Sequence, residues 1–239
     1  MNERRTHVDI FSGVGGFALA SNAAGFSTSV FCESDPYATR VLKRHWPTVP
    51  IIKDIREFDG TRWRGADLLT GGWPCQPWSH AGVQRGHADD RSLWQEMFRV
   101  IDEARPRWVL GENVVGIINL ALDEVLSDLE SIGYSTGPVV IPAASLNAPH
   151  RRDRVWVIAA HASVKRLQGC AEAGDNGEDR QEPRDKQFTG CSGVQGWDKF
   201  PTVAAVCGRD DGVSHRIHRL KALGNAIVPQ VAYEILKRI

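Results

Sequence analysis

Cys75 lies in a sequence setting that would hold its thiol in place at the end of a strand. It stands between Pro74 and Pro77, just after the short apolar segment ADLLTGG (66–72). Each proline fixes its own φ, and the residue before a proline is biased toward extended geometry. A cysteine presented in this way is a candidate nucleophile, because the thiolate is the reactive form of the side chain. The alternative is a buried structural cysteine, which this loop alone does not exclude.

A glycine turn and two carboxylates predict a nucleoside site. The run DIFSGVGG (9–16) is typical of a strand, a tight turn and the start of a helix, with Gly13 and Gly15 in the turn. Glycine lets the backbone approach a ligand, and free amides at a helix start favour an acidic group. The dinucleotide fingerprint is matched only in part, since Ala18 stands at the third glycine. Glu33 ends the next predicted strand, where a carboxylate can bind ribose hydroxyls, and Asp54 ends the third.

The elements that must position these residues alternate between strand and helix. Hydrophobic patterns predict strands at 8–10, 28–33, 51–55, 67–70, 108–110 and 155–160, and helices at 15–22, 36–45, 92–103, 122–132 and 229–238. This alternation predicts an α/β fold with a doubly wound, mostly parallel sheet. Ligands in such a fold lie at the carboxyl ends of the strands.

One segment, 163–215, departs from this pattern. It holds eight glycines and many charged residues but almost no apolar periodicity. Its aromatic residues Phe188, Trp197 and Phe200 favour a small loop-rich insert over a disordered linker, which is the alternative. Its cysteines have no paired spacing of the kind that zinc sites use, so we predict no metal. The predicted organisation is a catalytic domain at 1–162, the insert at 163–215, and a C-terminal segment at 216–239 that returns to the catalytic domain.

Composition narrows the function classes further. The chain has 29 basic and 29 acidic residues, so no overall field indicates an anionic partner. No apolar run approaches the roughly 18 residues that span a bilayer, and no signal-peptide pattern opens the chain. Five cysteines without paired spacing suit a reducing compartment, which predicts a cytoplasmic protein.

Five blocks of the sequence resemble the DNA cytosine-C5 methyltransferases of bacteria and phages. They are DIFSGVGGF (9–17), PCQ (74–76), GENV (111–114), APHRRDRVWVIA (148–159) and LGNAIVPQVA (223–232), and they occur in the order found in that family. The resemblance implies the sheet of S-adenosylmethionine-dependent methyltransferases. It also implies methyl transfer to C5 of a flipped-out cytosine in a specific DNA sequence, through a covalent bond between Cys75 and C6. S-adenosylhomocysteine would be the second product.

The resemblance also assigns roles to individual residues. Cys75 is the nucleophile, Glu112 holds cytosine N3 and the exocyclic amine, and Arg154 donates to O2. The other catalytic assignments are Gln76, Asn113 and Arg152. The cofactor assignments are Phe11, Gly13 and Gly15 at the methionine end and turn, Glu33 and Ser34 near the ribose, Asp54 and Ile55 at the adenine, and Leu93, Asn225 and Ala226 completing the pocket.

Two departures from the family pattern and two alternatives accompany this interpretation. His150 stands where the family usually has glutamine, and the insert is short for a target-recognition region. The implied partner is double-stranded DNA, bound by a monomer with the help of basic clusters at 151–154 and 215–221, and a cognate restriction endonuclease would fit the family. One alternative is an RNA cytosine-C5 methyltransferase, although the Cys-Phe-Thr motif expected of a tRNA-specific relative is absent. The other is a catalytically silent DNA-binding regulator on the same fold.

Overall fold

A mixed sheet of seven strands forms the centre of the computed structural model, which describes residues 5–74, 89–164 and 225–239 and, for 89–92, the backbone only. The strands are β1 (Arg5–Ile10), β2 (Phe26–Cys32), β3 (Ile51–Ile52), β4 (Leu68–Gly71), β5 (Trp108–Val114), β6 (Tyr134–Pro142) and β7 (Asp153–His161). Their order in the sheet is β3-β2-β1-β4-β5-β7-β6. The first five strands pair in parallel, and β7 is antiparallel to both β5 and β6. The predicted α/β fold with a mostly parallel sheet is confirmed.

Helices lie between most successive strands of the described chain, and one follows the last strand. They are α1 (Gly16–Ala23), α2 (Pro36–His45), α3 (Asp89–Ala104), α4 (Ile117–Leu120), α5 (Leu122–Ser131) and α6 (Pro229–Leu236). The start of α2 shows why sequence predicted its bounds well. Asp35 accepts hydrogen bonds from the amides of Tyr37 and Ala38, and Pro36 occupies the first helical position, where no amide is needed.

Two strand predictions need correction. Ile55 lies in a 3₁₀ turn, Ile55–Glu57, because the Asp54 side chain accepts from the Arg56 amide and bends the chain out of the extended form. Sequence also did not predict β6, an edge strand with prolines at 138 and 142 and exposed Val139 and Val140. Proline is tolerated at a sheet edge, where one side of the strand needs no partner.

The C-terminal residues pack against the start of α1. A Cβ atom built on Gly16 would lie 2.7 Å from the Cγ1 of Ile227, so only glycine allows this approach. Val231, Ala232 and Leu236 of α6 are buried. The described residues all belong to one compact unit. The domain bounds at 162 and 215 stay a prediction, and the insert from 165 onward lies outside the described residues.

Both faces of the sheet centre are buried, but they differ in chemistry. On β1, Val8 and Ile10 join an apolar core with Leu69, Met97 and Ile101. The alternate residues of β1, His7 and Asp9, are polar and fully buried. In the described ranges, no helix has the length and apolar character that crossing a bilayer requires.

Candidate active site

The turn after β1 has the strained backbone that the glycine pattern predicts. Gly13 and Gly15 have φ angles of 56° and 89°, and Phe11 has the unusual value of 53° for a residue with a side chain. A Cβ atom on Gly13 would meet nothing within 4 Å, so the space beside this turn is open. The turn at Gly13 therefore leaves room for a ligand to approach the backbone closely.

Glu33 lies directly beside this turn. Its Oε2 accepts from the Gly13 amide at 2.7 Å, and its Oε1 accepts from the Asp35 amide at 2.7 Å. The adjacent strand ends bring Glu33 and Asp54 to one edge of the sheet, where the Glu33 amide donates to the Ile52 carbonyl at 2.9 Å. Each carboxylate oxygen keeps a second lone pair, so Glu33 can still accept from ligand hydroxyls.

This edge of the sheet is acidic. Burial and the charges of Glu33, Asp54 and Asp9 together raise the pKa of Cys32 to about 12, although Arg99 opposes them. Three carboxyl groups thus act on one buried thiol at the end of β2. Such a setting favours a ligand with hydroxyl groups or positive charge over a phosphate.

A chain of buried polar groups supports the turn from below. His7 Nε2 lies 2.8 Å from the Thr70 hydroxyl, and Thr70 donates to Asp9 Oδ1 at 2.9 Å. His7 Nδ1 lies 2.9 Å from the Thr28 hydroxyl, so each ring nitrogen of His7 has a hydroxyl partner. Burial lowers the pKa of His7 to about 3 and raises the pKa of Asp9 well above its usual range.

Glu112 and Arg154 form an ion pair at the same edge of the sheet. The Arg154 Nε lies 2.8 Å from Glu112 Oε1, and the side chains are 18% and 9% exposed. They meet because β7 is antiparallel, with Arg154 opposite Val114. The start of β7 therefore lies beside the carboxyl end of β5.

The environment of Glu112 disfavours its charged form. Burial raises the pKa of Glu112 above its ordinary value of 4.5, and the positive charges of Arg154 and Arg152 oppose that rise. Burial also lowers the pKa of the Arg152 guanidinium. A carboxyl group whose pKa is raised by burial holds a proton more readily than an exposed one, which is what a hydrogen-bonding acid in catalysis needs.

Asn113 connects this pair to the loop that carries Cys75. Its Nδ2 donates to the Trp73 carbonyl at 3.1 Å, and its Oδ1 accepts from the Val114 amide at 2.8 Å. Trp73 is buried and packs on Trp94, with ring centroids 5.0 Å apart. The chain is therefore fixed two residues before Cys75.

Arg152 joins the C-terminal segment to the site. Its guanidinium donates to the Ala226 carbonyl at 2.6 Å, and its backbone φ is 38°. Asn225 is exposed beside this contact.

The profile of the C-5 cytosine-specific DNA methylases matches residues 6–189. The chain belongs to the C-5 cytosine-specific DNA methylase family. Type II methyltransferase M.PspPI of Psychrobacter sp. (strain TA137) is 38% identical over 165 residues, which are 66% of this chain and 40% of that protein. Type II methyltransferase M.NgoMIV of Neisseria gonorrhoeae is 34% identical over 159 residues, or 64% of this chain and 51% of that protein. The chain thus spans about half, or less, of the length of these relatives.

Solved structures show the same fold. A putative DNA modification methyltransferase from an Escherichia coli prophage superposes with a TM-score of 0.58 at 24% identity, covering 66% of this chain and 47% of that one. The Dnmt2 methyltransferase of S. pombe superposes with a TM-score of 0.57 at 23% identity, covering 66% and 51%.

The predicted residues that the structure describes form two groups at one edge of the sheet. The first is the glycine turn with Glu33, Asp54 and the buried Ile55, and Ser34 is exposed beside it. The second is Glu112, Asn113, Arg152 and Arg154, which the Arg152–Ala226 contact links to the C-terminal segment. Leu93 lies on α3 against the apolar core. Cys75 and Gln76 lie outside the described residues.

Sequence reasoning missed two features of this site. The polar chain of His7, Thr70 and Asp9 carries no motif of its own, although period-two alternation places His7 and Asp9 on one face. The anchoring of Trp73 by Asn113 depends on tertiary contact. His150 is exposed, and its effect as a replacement for glutamine stays a prediction.

Proposed function

We propose that this protein transfers a methyl group from S-adenosylmethionine to C5 of a cytosine that has been flipped out of double-stranded DNA. The observation that carries the proposal is the buried Glu112–Arg154 pair, held next to the residue that leads into the Pro74–Cys75–Gln76 loop. Family membership supports it, because the matched region includes these residues.

The Glu112–Arg154 pair suits the polar edge of cytosine. A protonated Glu112 can donate to N3, and its other oxygen can accept from the exocyclic amine. Arg154 can donate to O2 while it also restrains the Glu112 carboxyl. Charge that develops on the ring during reaction would be stabilised by both groups in a site with little water.

Cys75, assigned from the resemblance, would supply the nucleophile. Its thiolate adds to C6, and the electron pair of the C5–C6 bond becomes available at C5 for attack on the methyl group. Loss of the C5 proton then restores the double bond and breaks the bond between sulfur and C6. The target base must leave the stack for this attack, since C6 is not reachable inside a duplex.

The cofactor residues fit a sulfonium nucleoside. S-adenosylmethionine supplies the methyl group as a positively charged sulfonium. Glu33 can accept from the ribose hydroxyls while it holds the Gly13 amide in place. The acidic strand ends at Glu33 and Asp54 suit the sulfonium charge, and the family match supports the same cofactor. We therefore prefer S-adenosylmethionine to a nicotinamide dinucleotide.

Methylation of DNA by the purified protein tests the proposal. Plasmid DNA is incubated with S-adenosylmethionine and mapped by bisulfite sequencing, with structured RNA as a parallel substrate. We expect C5 methylation of cytosines in a defined DNA sequence. Methylation of the RNA alone would assign the protein to the RNA alternative, and binding of DNA without methylation of either would favour the silent regulator.

The cofactor assignment has its own test. Glu33→Ala should weaken S-adenosylmethionine binding in isothermal titration, because the ribose loses its acceptor. Glu112→Gln should leave that affinity nearly unchanged, since Glu112 faces the base. Equal losses in the two variants would contradict the division between a cofactor group and a base group.

The names of the relatives as type II methyltransferases lead us to propose further that a restriction endonuclease of the same site is the cognate partner.

A further inference from the structure

Arg99, on α3, donates hydrogen bonds to two backbone carbonyls in the turn that follows β3. Its Nη2 donates to the Ile55 carbonyl at 2.8 Å, and its Nη1 donates to the Phe58 carbonyl at 3.0 Å. These are the carbonyls at the two ends of the 3₁₀ turn Ile55–Glu57. The Ile55 carbonyl also accepts from the Phe58 amide at 3.1 Å, so Arg99 is a second donor, from a distant helix, that fixes where the turn lies.

Two carboxylates hold the Arg99 guanidinium in position. Glu96 pairs with Nε and Glu103 pairs with Nη1, each at 2.8 Å. Glu103 also accepts from the Gly60 amide at 2.8 Å. One turn of α3 therefore binds residues 55–60 through two carbonyls and one amide. The surrounding charges raise the pKa of Arg99 although its partial burial opposes the rise.

The turn that Arg99 binds, Ile55–Glu57, begins at the acidic edge of the sheet. Asp54, which holds the Arg56 amide, directly precedes it. The positive charge of Arg99 lowers the pKa of Cys32, whereas the negative charges of Glu33 and Asp54 raise it. The Ile55 carbonyl that Arg99 binds at 2.8 Å belongs to the residue after Asp54, so the guanidinium lies close to the strand end where the nucleoside is proposed to bind.

We propose that Arg99 is a positioning residue for the adenosine end of the cofactor, an inference that rests on the proposed function. It sets the position of Asp54 and Ile55 relative to Glu33, without contact with the cofactor itself. Adenosine binding then depends on α3, the helix that follows the Cys75 loop in sequence.

The test replaces Arg99 with methionine, which keeps the length of the stem and removes every donor. We expect affinity for S-adenosylhomocysteine to fall about 10-fold, or about 1.4 kcal/mol. The KM for S-adenosylmethionine should rise similarly, while kcat at saturating cofactor stays within about threefold. 5′-Methylthioadenosine, which lacks the amino-acid part, should lose affinity by the same factor.

Arg105→Met is the matched control. Arg105 directly follows α3 and donates to a backbone carbonyl outside residues 55–60, that of Ile132, at 2.8 Å. We expect the control to lose thermal stability like Arg99→Met while its cofactor affinity stays near that of the wild type. Arg99→Lys, which keeps the charge and some donors, should recover part of the lost affinity.

Three results would overturn the inference. They are equal affinity losses in Arg99→Met and Arg105→Met, an Arg99→Met affinity that matches the wild type, and a loss that spares 5′-methylthioadenosine. Each is read against a wild-type protein that binds S-adenosylhomocysteine. A wild type that does not bind it at all would instead contradict the proposed function.

Discussion

Glu112→Gln should slow methyl transfer while leaving the fold intact. Glutamine has nearly the same volume as glutamate, and its carbonyl oxygen can still accept from the Arg154 Nε that lies 2.8 Å from the carboxylate. It cannot exchange a proton with cytosine N3, however. The usual contribution of such proton transfer is roughly 10²–10⁴ in rate, which corresponds to about 3–5 kcal/mol of transition-state stabilisation.

The stability change of this variant should be small. Removing one charge of a fully buried ion pair costs about 3–5 kcal/mol, but Arg154 keeps 18% of its side chain exposed and hydrated. The variant also removes the cost of burying a carboxylate. Because the pKa of Glu112 is raised on folding, the wild type should lose stability relative to the variant as pH rises above about 4.5.

Single-turnover methylation with tritium-labelled cofactor measures the rate, and urea unfolding at several pH values measures stability. Glu124→Gln, on the exposed side of α5, is the control and should change neither. A Glu112→Gln rate within tenfold of the wild type, with Cys75→Ala inactive, would refute the role of Glu112 as a proton-sharing acid.

Three further predictions concern other parts of the chain. Cys75→Ala should abolish methylation but keep cofactor binding, and wild-type protein should form a stable adduct with 5-fluorocytosine DNA in denaturing gels; retained turnover would exclude the covalent route. His7→Gln should make the protein less sensitive to acid. Because the pKa of His7 is lowered to about 3 in the fold, the free energy of unfolding of the wild type should fall by up to roughly 1.4 kcal/mol per pH unit as the pH falls from 6.5. If urea unfolding gives the same change in that free energy for wild type and variant between pH 6.5 and 4, the prediction is wrong. Arg151→Ala should reduce the log–log salt slope of DNA binding by about one if Arg151, which is exposed and paired with Asp153, meets a phosphate; an unchanged slope would place the phosphate contacts elsewhere.

Sequence predicted the parallel half of this fold better than the antiparallel half. The turn signals at Gly13–Gly15 and the cap at Asp35 act within a few residues of the elements they define, so local patterns locate them. The β6 strand carries prolines and exposed valines, and only its pairing with β7 stabilises it as a strand. Such pairing between distant segments has no local signature.

The candidate site shows the same division. The end of the second predicted strand indicates Glu33, whereas the GENV block of the family resemblance indicates Glu112. Arg99 could not be predicted, since its spacing to Glu96 and Glu103 is that of any charged helix surface. Its value to the site depends on which backbone carbonyls the fold brings to it.

The direction of β7 has a consequence for any attempt to shorten or exchange the region between 163 and 215. β7 starts next to Arg152, whose guanidinium donates to the Ala226 carbonyl. It ends at His161, whose amide donates to the Arg107 carbonyl at the opposite edge of the sheet. Nine strand residues at about 3.3 Å each separate those points by roughly 30 Å. A fully extended connection needs about nine residues to cover that distance, and a glycine–serine linker reaches it on average only at about 30 residues. Deletion variants with shorter linkers would pull on the Arg152–Ala226 contact, and their loss of activity would report a strained connection and not a lost recognition surface.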